Sequence, residues 1–436
     1  MKRVFIETYG CQMNVADTEL MFGVLGSRGF VRVEDPANAD VMLVNTCAVR
    51  DHAEQRVSGR VGELMRHKRP GSVLGVVGCM AQRLGQELLD QVPRLDLVVG
   101  PDAYRNLPDL ILDASAGRRA ADTAFRSWEH YEDVPPARES GPTAFVTVQR
   151  GCDYKCTFCI VPYTRGPERS RQLGDVVTEV RRLAEEGTSE VTLLGQTVNS
   201  YHDGDHDFAD LLRAVGEVEG IRRLRFTSPY PTDFTGRVIE AMATVPAVCP
   251  HVHLPVQSGS NAVLKRMLRR YSREEYLEVV RRLRQAVPGM TFSTDIIVAF
   301  PGETEAQFQD TLTLVAEADF DDAYTFRYSP REGTPATRLR DAVPDDVAAD
   351  RLDRLVAAVR AQTRRKNIGR IGEQHEVLVE QVAKRGGMLG RTRTNLLVLL
   401  DLGVEAVGDY LDVRLTATTG STFIGTVATP HALTVL

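Results

Sequence analysis

The sequence predicts an α/β protein in three parts: an N-terminal doubly wound parallel sheet, a central partial (β/α)6 barrel and a small C-terminal antiparallel β-barrel. Three observations predict it. Short apolar runs alternate with helical patterns over residues 1–118, and a second such series begins near Ala144 after a polar stretch. From residue 372 the pattern changes to glycine-broken runs in which apolar and polar residues alternate.

In the first part, VFIETYG, VMLVNT, SVLGVVG and LDLVVG read as strands of an open parallel sheet. Between the first two, Asn14 can cap a helix whose Leu20, Met21, Val24 and Leu25 share one face; Val57, Val61, Leu64 and Met65 do the same after the second. Residues 119–142, ending WEHYEDVPPARESGP, are polar and read as a linker. Over 143–371, AFVTVQR, VTLLGQ, LRFTSP, HVHLPV, TFSTDIIVAF and DAYTFRYS are strand-like and separated by helical patterns such as DVVTEVRRLAEEG. The site of such a barrel lies at the carboxyl ends of its strands. An arginine-rich helix over 351–370 bridges to the last part, 372–436, where HEVLVEQVAK, MLGRTRTNLLVLLD, DYLDVRLTAT and STFIGTVAT supply the strands.

The 436 residues are 43% hydrophobic and 26% charged, an ordinary soluble composition. No secretory signal opens the chain and no apolar run reaches bilayer length, so a cytoplasmic protein with no membrane partner is expected. A net charge of −6 argues against a uniformly basic nucleic-acid binder, and no DNA partner is expected. Local basic groups exist at Arg165, Arg169 and Arg171, at Lys265, Arg266, Arg269, Arg270 and Arg273, and at Arg360, Arg364, Arg365, Lys366 and Arg370. Such runs are usually solvated helix faces and alone say little about RNA.

Seven cysteines fit metal ligation in a reducing compartment better than a disulfide framework. Cys11, Cys47 and Cys79 each follow one of the first three strands, and carboxyl ends of parallel strands share one edge, so the three should converge. Three convergent cysteines can bind an iron-sulfur cluster with one iron open. Cys152, Cys156 and Cys159 stand in GCDYKCTFC, directly after the first barrel strand. Structural zinc needs four ligands, and no fourth cysteine or histidine lies beside this loop. The ferredoxin pattern needs a further cysteine, also absent. A [4Fe-4S] cluster with a vacant iron fits what is left. Such an iron can chelate the amino and carboxylate groups of S-adenosylmethionine, and electron transfer then generates a radical able to attack unactivated C–H bonds. Gln196 in LLGQTVNSY and Asp295 in STDIIVAFPGE stand at carboxyl ends of barrel strands, where cofactor contacts are expected. For His251 and His253, alternating on a strand, a barrel-lining role is expected rather than metal binding.

The GCDYKCTFC loop resembles the radical S-adenosylmethionine superfamily, which implies that Phe158 packs near the adenine. The whole chain resembles the methylthiotransferases. That resemblance implies a second [4Fe-4S] cluster on Cys11, Cys47 and Cys79, carrying or delivering sulfur, and an electron-donating reductase as partner. YGCQMNVADTE, NTCAVR, GCMAQ, GCDYKCTFCIVPYTRGPERSR, HLPVQSGSN and YSPREGTPA look like the branch that forms 2-methylthio-N6-dimethylallyladenosine in tRNA. The implied substrate is tRNA carrying isopentenyladenosine beside the anticodon, modified at C2; an RNA loop base can be splayed out to be reached. The C-terminal part resembles the RNA-binding TRAM domain, with Arg391 and Arg393 of GRTRTN expected on phosphate. Ala299 departs from a commoner glycine, and SPYPTDF from a form with histidine. Competing readings are the same chemistry on threonylcarbamoyladenosine tRNA or a ribosomal protein, and a non-enzymatic iron-sulfur RNA-binding protein.

Overall fold

The computed structural model describes residues 1–48 and 59–428. The expected Val57 face position therefore lies outside the described residues. The first sheet has six parallel strands in the order β2 (Val31–Arg32), β1 (Arg3–Tyr9), β3 (Val41–Thr46), β4 (Val73–Gly78), β5 (Leu97–Val99), β6 (Ala120–Asp122). Successive β3 residues face opposite sides, as the pleat requires. Val41 and Leu43 join Leu20, Met21 and Leu25 of the helix Gln12–Ser27 in one core layer. Met42 and Val44 join Met80, Leu88 and Leu89 of the helix Cys79–Gln91 in the other. β3 is buried along its whole length, which is why it reads as an unbroken apolar run.

The polar stretch expected to be a linker over 119–142 is built into the first unit. Its Ala120–Asp122 forms β6 beside β5. Tyr131 is buried, accepting from the Tyr104 N–H at 3.1 Å and donating to the Pro101 carbonyl at 2.9 Å. Buried Glu129 pairs with Arg105 at 2.8 Å. Polar composition conceals this because the tyrosine and the acid are buried with their polar atoms satisfied.

All six barrel strands are present, as two parallel three-stranded sheets. One is β11 (Arg223–Phe226), β10 (Glu190–Leu194), β7 (Thr143–Thr147); the other is β12 (His251–His253), β13 (Thr291–Val298), β14 (Asp322–Arg327). They meet where Leu224 pairs with Val248. A short β8–β9 pair, Gln149–Arg150 with Arg169–Ser170, closes the loop after β7.

The C-terminal strands β15 (Gln374–Val382), β16 (Met388–Thr392), β17 (Leu397–Leu400), β18 (Tyr410–Thr418) and β19 (Thr422–Val427) form a closed barrel. It is not wholly antiparallel: β17 and β19 run parallel. Five strands cannot close a ring with every neighbour reversed, so one parallel pair is required. Val377, Val398, Val413, Leu415 and Phe423 fill it.

This module sits against the amino ends of the central strands. Arg223, at the start of β11, donates to the Arg391 carbonyl at 2.7 Å and the Glu376 carbonyl at 2.9 Å. Arg225 donates to the Thr392 carbonyl at 2.8 Å, and Thr291, at the start of β13, to the Thr394 carbonyl at 2.9 Å. No helix among the described residues is long and apolar enough to cross a membrane.

Candidate active site

β1, β3 and β4 are neighbours in the sheet, and their carboxyl ends deliver Cys11, Cys47 and Cys79 to one edge. Gly78 (φ +93°) makes the last turn: a Cβ there would lie 2.5 Å from Asn45 Oδ1 and 2.7 Å from the Thr46 carbonyl, so only glycine can lead into Cys79. The helix Gln12–Ser27 begins with Cys11 itself as the cap. Asn14, expected as the cap, stands one turn in. Its Oδ1 accepts from the Cys11 N–H at 3.3 Å, and its Nδ2 reaches Asn45 Oδ1 and the Thr46 carbonyl, both at 3.2 Å. Asn45 returns a bond to the Asn14 carbonyl at 2.7 Å. This buried amide pair ties the Cys11 turn to the Cys47 turn.

Cys152, Cys156 and Cys159 occupy the loop after β7, at the carboxyl end of the barrel. The Gly151 N–H donates to Gln196 Oε1 at 2.6 Å and the Cys152 N–H to the Gly166 carbonyl at 3.1 Å. Gln196 thus holds the start of the loop. Thr157 fastens the middle, its N–H on the Met267 carbonyl and its hydroxyl on the Arg266 carbonyl, both at 3.0 Å. Phe158, Ile297 and Tyr328 each border the buried cluster of Val263, Met267, Phe300 and Ala336. Asp295 alternates with Ile297 along β13 and so shares its face; its Oδ2 is 3.4 Å from His253 Nε2. Ile297, which shares the face of Asp295 on β13, thus borders the same cluster as Phe158. His251 meets Thr291 Oγ1 and Asn395 Nδ2 at 3.1 Å each, a structural setting.

The two triads face each other. Ile160, next to Cys159, packs on Cys79 and on Ala48, next to Cys47. Arg165, six residues past Cys159 and 3% exposed, donates from Nε to Cys79 Sγ at 3.1 Å and from Nη2 to Asp17 at 2.7 Å. Asp17, wholly buried, also binds Arg150 at 3.1 Å. On the other triad, Arg269 Nη1 is 3.4 Å from Cys156 Sγ, and Nε donates to the Tyr271 hydroxyl at 2.8 Å. Its guanidinium lies 4.3 Å from the Tyr230 ring centroid. Tyr230 stacks on Tyr154 at 3.8 Å.

The Arg165, Arg169 and Arg171 group is therefore not an RNA surface. Arg169 pairs with buried Asp102 and Arg171 with Glu179 at 2.6 Å. The sequence does not mark Asp17, Asn14 and Asn45 as parts of the site, and Arg269 is visible there only as one member of the basic group at 265–273. Arg391 and Arg393 also have another use. Arg393 reaches the Arg222 and Val248 carbonyls, each at 3.2 Å, and Arg391 pairs with Glu380 and Asn395 at 3.1 Å. The GRTRTN turn is a plug in the amino end of the barrel, opposite the cysteines, because its carbonyls and side chains satisfy the strand starts.

The residues present fit two clusters. Among the described residues no three His, Cys, Asp or Glu side chains converge tightly enough to share one metal ion. A cluster asks for something else, since each thiolate binds its own iron and charged donors surround the sulfurs. Arg165 Nη1, buried beside Cys79 without a partner, is a donor of that kind. No disulfide joins any of the seven cysteines. The Cys47 thiol and nearby Arg165 bring Cys11 down to about 6. Burial lifts Cys152 to about 11 and Cys159 to about 12, so these two thiols are neutral until a metal displaces their protons.

Residues 3–100 match the model of a family described as "Uncharacterized protein family UPF0004", and residues 146–315 that of the radical SAM superfamily. A tRNA-2-methylthio-N(6)-dimethylallyladenosine synthase of Chloroherpeton thalassium is 43% identical, over 97% of this chain and 95% of its own. One of Geobacter sulfurreducens is 44% identical over 98% of both. Among solved structures, the radical S-adenosylmethionine methyltransferase TsrM from Kitasatospora setae superposes with a TM-score of 0.56 at 14% identity, over 77% of both chains. The cobalamin-dependent radical enzyme OxsB does so at 0.55 and 11%, over 82% of this chain and 56% of its own. At such identities the likeness is one of fold.

Proposed function

On the premise that this chain belongs to the tRNA-2-methylthio-N(6)-dimethylallyladenosine synthases, we propose how its residues divide the reaction. The enzyme is a radical S-adenosylmethionine transferase that adds a methylthio group to C2 of N6-isopentenyladenosine next to the anticodon in tRNA. Cys152, Cys156 and Cys159 hold one [4Fe-4S] cluster and Cys11, Cys47 and Cys79 a second. When bound, the first supplies an open iron and an electron for cleaving S-adenosylmethionine, and the second supplies sulfur.

The chain's own residues do the positioning. Gln196, through the Gly151 N–H, and Thr157, through the Arg266 and Met267 carbonyls, fix the cysteine loop, so its thiols are preorganised at the barrel mouth. Phe158 would pack near the cofactor adenine, and Asp295 would offer a carboxylate to the cofactor from the face it shares with Ile297. Asn14 and Asn45 fix the spacing of the second triad. The electron must come from outside the chain, from a reductase. Thiolate ligands and a tRNA substrate support the reading that the protein works in the reducing cytoplasm. We take residues 1–118 as the sulfur-handling unit with 119–142 appended to it, 143–371 as the radical unit and 372–436 as the TRAM-like barrel.

The single observation that carries this reading is the opposition of two three-cysteine sets across the Arg165–Cys79 contact. It separates the enzyme from a passive iron-sulfur RNA-binding protein, which has no need of a second open iron beside the first. Reconstituted enzyme, reduced and given S-adenosylmethionine with isopentenylated tRNA, should form 5′-deoxyadenosine and a methylthio-bearing nucleoside detectable by mass spectrometry. Absence of cleavage under strong reduction would overturn the radical assignment. Methylthio gain on another tRNA nucleoside or on a protein, but not on this one, would overturn the substrate.

A further inference from the structure

We propose that the cleft beside the cysteine loop, walled by Lys155, Lys265 and Arg270, binds the phosphate backbone of the substrate tRNA flanking the modified base. This rests on the tRNA substrate proposed above and says where the RNA is held. The cleft, of about 520 Å³, carries four cationic side chains, Lys155, Lys265, Arg269 and Arg270, and one carboxylate, Glu275. Glu275 is already engaged, accepting from the Ser272 N–H at 2.7 Å to cap the helix Arg273–Ala286. Arg269 is turned inward to Cys156, Tyr271 and the Pro255 carbonyl. Three exposed cations remain. Neither lysine ammonium meets a carboxylate or a carbonyl at bonding distance among the described residues, and the Arg270 guanidinium lies 5.0 Å over the outer ring of the Tyr154–Tyr230 stack. Unpaired cations in a concave surface are a footprint for a polyanion.

Position makes this more than a charged patch. Lys155 stands between Cys152 and Cys156, so a strand held there lies at the mouth of the barrel that holds Phe158 and Asp295. Leu268, 53% exposed on the rim with φ +55°, adds an apolar contact among the cations. The other basic groups are largely spent within the protein. Arg365, Lys366 and Arg370 pair with Asp319 and Asp321, Arg169 and Arg171 are in buried pairs, and Arg393 is in the plug at the opposite end of the strands. A small anion would need one focused set of donors; three cations spread along an open cleft suit successive phosphates.

The test is a Lys155→Ser/Lys265→Ser/Arg270→Ser variant of the reconstituted holoenzyme, titrated with isopentenylated tRNA at several salt concentrations. Affinity should fall about tenfold or more, and the slope of log K against log salt should flatten by about 2, as each lost phosphate contact removes about 0.7–0.9. Iron content and RNA-independent S-adenosylmethionine cleavage should match wild type. Because Lys155 lies in the cysteine loop, a Lys265→Ser/Arg270→Ser variant is measured beside it and should flatten the slope by about 1.5. Unchanged affinity and slope in both variants overturns the proposal. So does impaired S-adenosylmethionine cleavage with intact tRNA binding, which would assign the cleft to the cofactor carboxylate. If the wild type binds no isopentenylated tRNA while still cleaving S-adenosylmethionine, the substrate reading fails, and this inference with it.

Discussion

Cys152, Cys156 and Cys159 come from one loop between two strand ends, whereas Cys11, Cys47 and Cys79 come from three strand ends brought side by side by the sheet. The first set is fixed by local bonds, from Gln196 to Gly151 and from Thr157 to the carbonyls of Arg266 and Met267. The second depends on strand order, on the Asn14–Asn45 pair and on Arg165, which arrives from the other unit. The loop makes a reactive centre that a chain can carry on many scaffolds. The strand-end set is complete with its arginine only when the two folded units are joined correctly, so on the proposed division of roles, generating the radical and using it for sulfur insertion rest on different kinds of structure.

The sharpest way to break this comparison is to remove one thiol from each set. Cys156→Ala should abolish both 5′-deoxyadenosine formation and methylthio transfer. Cys79→Ala should spare cleavage of S-adenosylmethionine and abolish methylthio transfer. Both products are read from the same quenched reaction, with iron and sulfide quantitation showing about half the wild-type content in each variant. Loss of cleavage in Cys79→Ala would mean that the two sets do not function separately.

Next in size is the joint between them. Asp17 is fully buried with Arg150 and Arg165 on its two oxygens. Asp17→Asn keeps the shape but leaves two buried guanidinium groups with no anion, a defect that costs roughly 3–5 kcal/mol. Thermal unfolding should show a clearly lowered transition, accompanied by loss of methylthio transfer before loss of S-adenosylmethionine cleavage. A melting curve unchanged from wild type would mean that the ion pairs do not join the units.

What the sequence revealed follows the same division. The placement of both cysteine sets is legible, one from spacing inside a loop and the other from its position after three apolar runs that become adjacent strands, because strand ends and loop motifs are local patterns. Asp17 is not. Its partner Arg150 is 133 residues away, and a buried pair between distant residues leaves no periodicity. Ala120–Asp122 went unread because a three-residue edge strand carries too little apolar pattern. Arg391 and Arg393 were read for charge alone, but their contacts depend on where the barrel docks. Ala299 was noticed as an unusual residue; its φ of +58° at the end of β13 explains why glycine suits that position.

The finest distinction lies in the arginine that each set carries. Arg165 touches Cys79 and is neutralised by Asp17 at 2.7 Å, while Arg269 touches Cys156 with no carboxylate at ion-pair distance among the described residues, its faces covered by Tyr230 and Tyr271. A cation beside a thiolate ligand favours the reduced, more negative cluster, so its removal lowers the reduction potential of that cluster. Arg269→Gln keeps a hydrogen-bond donor and deletes the charge. If the two oxidation states feel it differently by about 1.4 kcal/mol, the radical cluster should move about 60 mV more negative. The Asp17→Asn/Arg165→Gln double variant removes one charge of each sign and leaves Arg150 in place, so the second cluster should shift by much less. Electron paramagnetic resonance during redox titration resolves the two signals. Equal shifts, or a larger one in the double variant, would show that Asp17 does not neutralise Arg165, and the electrostatic difference between the two sets would disappear.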